Sequence, residues 1–139
     1  TMVLLIISGA GALKQILIDS GVSNYIGASL DGSQISPLIL AWLIATVIRV
    51  CVGSATVAGL TAAGIVLPLV SNSDISPELM VLAIGSGSLM LSHVNDAGFW
   101  MFKEYFNLTV RETLSTWTVM ETIVGITGLV GVLILNLFI

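Results

Sequence analysis

The chain has 139 residues, of which 56% are apolar and 9% charged, with a formal net charge of −4. A water-facing domain carries about 25% charge, so this composition excludes a soluble fold and places the chain in a membrane, while its sparse, net acidic charge leaves neither a nucleic-acid face nor a polybasic lipid anchor. The single cysteine, Cys51, sits in an apolar run, which rules out a disulfide framework and predicts a small buried hydrophobe.

Apolar stretches fall at 2–18, 38–48, 50–70, 79–92 and 113–139, and a membrane crossing takes about 20 residues. The first follows Thr1 with no basic segment or A-x-A site, so it is expected to be a span loosened by small residues rather than a signal peptide, with Lys14 and Asp19 near its end. Its run LLIISGAGALKQ imitates a dinucleotide fingerprint. The third glycine is replaced by Lys14, however, and Asp31 belongs to an Asp31-Gly32 turn with no second strand before it. Spans this compromised by Gly, Ser and charge imply that 1–139 is a piece of a larger domain whose remainder supplies packing partners.

Leu38 to Ile48 gives only eleven residues before Arg49, whereas 50–70 is long enough to cross but rich in Gly, Ala, Ser and Thr. A short arm followed by a small-residue arm predicts a re-entrant hairpin with its tip at Gly53 to Thr56. The returning helix has Ser54, Ala58 and Ala62 on one face and Ala55, Gly59 and Ala63 beside it, a surface that admits close backbone approach. Pro68 is expected to kink or end it. Arg49 either snorkels to the interface or pairs with a carboxylate or an anionic substrate inside the bundle.

The turn-rich SLDGSQISP and SNSDISPE are loops, and the second offers Ser76 as N-cap ahead of Pro77 and Glu78. The stretch LMVLAIGSGSLMLS that follows is interrupted by glycines and stops at His93. Each of Gly85 and Gly87 costs a helix interior roughly 1 kcal/mol relative to Ala, and irregular backbone at membrane depth survives only beside protein or a wet cavity. A helix broken from Gly85 to Asp96 is therefore expected, with a second half-helix over Gly98 to Phe106. The last stretch is an ordinary span, with Trp117 as an interfacial anchor and Gly125, Gly128 and Gly131 marking a close helix contact. Asn107-Leu108-Thr109 matches a glycosylation pattern by chance, and Glu121 is expected to pair or to face the bundle. Lys103 and Arg111 favour a cytoplasmic 103–112 loop and an external C-terminus.

Within LSHVNDAGFW, three polar residues crowd into four positions. His93 and Asp96 are too few ligands for a metal centre, and IGSGSL does not make a hydrolase elbow. Two readings stay open: a polar network that holds the helix break, or a substrate or proton path.

The strings SPELMVLAIGSGSLMLSHVNDAGFWMFKEYFNLTVRETLSTWTVMETIVGITGLVGVLILN and RVCVGSATVAGLTAAGIVLP closely resemble the C-terminal third of the bacterial gluconate permease family, proton-coupled symporters for gluconate and related sugar acids. The resemblance covers most of the chain, and S-H-V-N-D followed by G-F-W and K-E-Y-F is its most specific part. It implies an all-α, polytopic inner-membrane carrier without cofactor or metal. It implies as well that 1–139 is the C-terminal part of one transporter domain whose N-terminal two-thirds lie elsewhere, and homo-oligomers are compatible with it. Two interrupted segments agree with a carrier's midplane site.

A sugar acid offers a carboxylate and several hydroxyls. Gly53, Ser54, Thr56, Ser86, Ser88, Ser92, His93 and Asn95 are of the types that would bind it through backbone N–H groups and polar side chains. For the proton, a lone carboxylate at low dielectric is poorly solvated when charged, which points to Asp96, with His93 second and Glu121 or Asp19 assisting. The rival readings are a carrier of another small carboxylate, such as a hydroxy acid or D-amino acid, and a membrane fragment that transports nothing.

Overall fold

The computed structural model describes residues 35–71 and 75–139, apart from the side chains of 68–71, together with eight isolated positions between 8 and 25. Apart from those positions, the expected first span over 2–18, its fingerprint-like run and the Asp31-Gly32 turn lie outside the described residues. Asp19 is exposed and accepts a hydrogen bond from Gln15 Nε2 at 2.8 Å.

Helix α1 spans Pro37–Val52, with proline where its missing N–H and fixed φ cost nothing. It ends at Gly53, whose left-handed φ of 77° turns its N–H onto the Arg49 carbonyl at 2.8 Å. Helix α2, Ala55–Ser71, begins immediately, and Ser54 Oγ accepts from the Val57 N–H. The pair is a helical hairpin with a two-residue tip. At 16 and 17 residues, each arm is about 25 Å long and falls short of a hydrocarbon core of about 30 Å. The first arm is longer than the eleven residues expected, because Arg49 lies inside its last turn rather than stopping it. Helix α2 continues past Pro68, where a kink or an end was expected.

Helix α3, Pro77–Gly87, starts at Ser76 as expected, but the Ser76 hydroxyl donates to the Glu78 carboxylate and does not cap the backbone. It runs through both glycines that were expected to break it, and the chain unwinds at Ser88 instead. A Cβ on Gly87 would lie 2.4 Å from the Trp42 carbonyl oxygen, whereas one on Gly85 would meet nothing within 4 Å. Gly87 thus serves the close approach of α1 to α3. The non-helical stretch reaches Asp96 and includes Leu91 at φ 49°, a left-handed conformation unusual for a branched side chain.

Helix α4, Ala97–Tyr105, is followed by α5, Val110–Thr113, which opens on a reciprocal capping box between Thr109 and Glu112. The threonine of the chance glycosylation pattern is therefore a helix cap. A π-helical turn, Leu114–Thr118, leads into α6, Val119–Leu135. Together Val110–Leu135 forms one continuous helix of 26 residues, with an 18-residue window of mean hydropathy 2.0, long and apolar enough to cross a membrane.

All the described elements are helical. Helix α3 packs against α1, α2 and α6, around a core of Leu38, Ala41, Ala45, Ala62, Val66, Leu79, Met80, Ala83, Ile84 and Val132. Its alanines bring the backbones close, and Ala58 and Ala62 on the expected small-residue face are fully buried. Gly125 and Gly128 behave as the close contact expected, since a Cβ would press on Met90 and Ser86, but Gly131 faces open space. Cys51 is exposed, against its expected burial: it occupies the outer side of α1, where Leu43 and Val47 are exposed as well.

Candidate functional site

The tip of the α1–α2 hairpin and the unwound stretch between α3 and α4 meet. A Cβ on Gly53 would stand 2.3 Å from the Asn95 carbonyl oxygen and 2.7 Å from Asn95 Cγ, so only glycine admits this approach. Asn95 Nδ2 donates to the Val50 carbonyl at 2.8 Å, satisfying one of the acceptors that the end of α1 leaves open. Asn95 N–H points to His93 Nδ1 at 3.5 Å, and His93 itself is half-buried.

One turn back along α1, Arg49 Nη2 bonds Asp96 Oδ2 at 2.5 Å, with side chains 3% and 15% exposed. Asp96 joins two more groups. Its other oxygen accepts from the Gly98 N–H at 2.9 Å, capping α4, and Oδ2 also accepts from the Ser92 hydroxyl. Ser92 is fixed from a third side, since Trp117 Nε1 donates to its Oγ at 2.7 Å and Thr118 Oγ1 to its carbonyl at 2.5 Å. Trp117 and Thr118 belong to the π-helical turn, a widened geometry often found at functional positions. Trp117 therefore helps hold the break, a contact that its expected place as an interfacial anchor did not foresee.

The structure brings together Gly53, Ser54, Ser92, His93, Asn95 and Asp96 at the two tips. It does not bring Thr56, Ser86 or Ser88 there. Thr56 lines an apolar groove with Ala55, Gly59, Leu60, Val81 and Gly85. The Ser86 and Ser88 hydroxyls donate to the Ala83 and Gly85 carbonyls of their own helix, and Ser86 packs where Gly128 leaves room. Asp96 is not the lone carboxylate expected, because Arg49 is its partner; of the two roles open to Arg49, the pair inside the bundle is the one realised. Trp117 and Thr118 were the residues missed as part of this network, and the polar run STWT in the first part of the last span was the only signal for them. Among the described residues no cluster of three His, Cys, Asp or Glu is spaced for a metal ion.

The GntP family permease pattern matches residues 1–138. The chain is 58% identical over 138 residues to a high-affinity gluconate transporter of Escherichia coli K12, covering 99% of this chain and 32% of that protein. It is 56% identical to the Gnt-II system L-idonate transporter of the same organism, covering 97% and 31%, and 55% identical to a gluconate permease of Bacillus subtilis 168, covering 98% and 30%. No solved structure matches. The chain thus spans about a third of the length of these relatives. With a membrane-length helix, two unwound tips joined by a buried ion pair, and a match over nearly its whole length, the chain belongs to the GntP family of permeases.

Proposed function

We propose that the chain is the C-terminal part of a multi-pass bacterial inner-membrane carrier that imports gluconate or a related sugar acid together with protons. The observation that carries the reading is the meeting of two non-helical tips around the Arg49–Asp96 pair. Interrupted helices are where carriers expose backbone donors and polar side chains to a substrate at membrane depth. Gly53 and Ser54 on one tip and Ser92, His93 and Asn95 on the other supply N–H groups, hydroxyls, an imidazole and an amide for a polyhydroxylated acid.

Asp96 carries the coupling proton in this reading, and His93 hydrogen-bonds a substrate hydroxyl. Because Arg49, Ser92 and the Gly98 N–H all bind the charged carboxylate, a proton reaches Asp96 only as that network opens. Protonation and separation of the tips are then one event, which is what coupling requires. In this reading the 103–112 loop is cytoplasmic and the C-terminus external, the orientation that Lys103 and Arg111 favour. The remaining two-thirds of the permease, and in the assembled carrier other copies of it, cover the exposed apolar faces.

Uptake of labelled gluconate by the full-length permease in vesicles, with and without an imposed pH gradient, tests this. Accumulation that rises with an inward proton gradient is expected. Uptake indifferent to the gradient removes the coupling, and uptake of a hydroxy acid or D-amino acid in place of any sugar acid moves the assignment to that substrate class. No uptake at all leaves only a membrane scaffold.

A further inference from the structure

We infer that Arg49 is the carboxylate-binding residue of the carrier: the free edge of its guanidinium takes the substrate's carboxylate while one Nη2 hydrogen stays with Asp96. The inference rests on the sugar-acid reading and deepens it.

Arg49 is 3% exposed, and its Nε and Nη1 are buried with no hydrogen-bond partner among the described residues. A guanidinium has five donors in a rigid planar fork, and Asp96 engages it through Nη2 alone. Buried N–H groups of a charged side chain without an acceptor are strongly disfavoured, so something must meet them. Nε and Nη1 lie on different edges of the guanidinium, each edge completed by one hydrogen of Nη2, and the single bond to Asp96 occupies only one Nη2 hydrogen. One whole edge is left, and its two N–H groups match the two oxygens of a carboxylate. Arg49 is also the one cation among the buried described residues. It lies one helical turn before Gly53, with the Asn95 amide across the tip, so an acid bound through its carboxylate at Arg49 would set its hydroxyls against the polar groups of both tips. Lysine would not replace it, since an ammonium is a point charge without the fork.

Binding of gluconate to the purified full-length permease, compared with gluconamide, tests the assignment. The two ligands share every hydroxyl and differ only in the charged group. The wild-type protein is expected to bind gluconate at least about 100-fold more tightly than the amide, a ratio in keeping with loss of a charge-assisted pair. Arg49→Gln in an Asp96→Asn background avoids leaving a buried carboxylate unpaired, and is expected to bind both ligands equally weakly. Arg49→Lys should retain part of the discrimination, falling to about tenfold. A wild-type protein that binds no sugar acid contradicts the transport reading itself. A wild-type protein that binds gluconate and gluconamide alike, or a folded Arg49→Gln/Asp96→Asn variant that keeps the full preference, overturns the assignment and gives the free edge of Arg49 to an acceptor from the rest of the permease.

Discussion

The two tips reach the same place by opposite means. The first is Gly53 and Ser54 between two helices, closed by its own backbone, with Gly53 N–H on the Arg49 carbonyl and Ser54 Oγ on the Val57 N–H. The second runs from Ser88 to Asp96 and is held by Arg49 from α1, by Trp117 and Thr118 from the last helix, and by Asp96 capping α4. Backbone at membrane depth must find partners within the protein. A tight tip finds them locally and depends on having no side chain, while a long tip depends on side chains brought from elsewhere. The first should therefore be sensitive to added atoms, and the second to lost polar groups.

Asp96→Ala attacks the second tip most severely. It removes the partner of a buried Arg49 and the cap of α4, and a broken buried pair costs about 3–5 kcal/mol. Denaturation of the purified permease should show a loss in that range, together with loss of uptake. Gly53→Ala attacks the first. The positive φ alone costs roughly 1–2 kcal/mol, and the clash with the Asn95 carbonyl adds to it. Gly53→Asn sharpens the comparison, since asparagine tolerates left-handed backbone but not the contact. Both variants should lose uptake, and Asn should rescue little.

Trp117→Phe keeps the ring and removes only the bond to Ser92, a change of about 1 kcal/mol. It should lower the melting temperature slightly and reduce uptake only in part. The smallest effect expected is from Gly85→Ala, a site with open space around it. It should stabilise α3 by up to about 1 kcal/mol in thermal denaturation and leave uptake unchanged, which would confirm that the glycines are not what unwinds the chain.

Much of this architecture was legible where the local signal was strong. Gly53 stood between an apolar arm and a small-residue arm, and the polar crowding from Ser92 to Asp96 had no place in an uninterrupted span. The break point was misplaced because glycine propensity speaks only for an isolated helix: Gly87 is helical because Trp42 of α1 lies against it, a contact from 45 residues away in the chain. The Arg49–Asp96 pair spans 47 residues, so the local sequence left Arg49 open between snorkelling to the interface and pairing, and did not name the acid it would pair with. Trp117 near the end of an apolar run reads as an interfacial anchor by position, and the π-helical turn from which it also reaches Ser92 has no composition of its own. Serine and threonine type alone drew Thr56, Ser86 and Ser88 into the candidate site, although hydroxyls in helices commonly bond the preceding turn.

The contact between the tips is the claim on which the rest depends, and cross-linking measures it directly. With Cys51 replaced by Ser, cysteines at Val50 and Asn95 in the full-length permease should be joined in membranes by a short, reducible bis-methanethiosulfonate cross-linker, because the Asn95 amide reaches the Val50 carbonyl at 2.8 Å and the two residues are therefore neighbours. Gluconate should slow the cross-linking, and the cross-linked carrier should not transport until it is reduced. Absence of the cross-link, or ordinary uptake by the cross-linked carrier, would contradict the account.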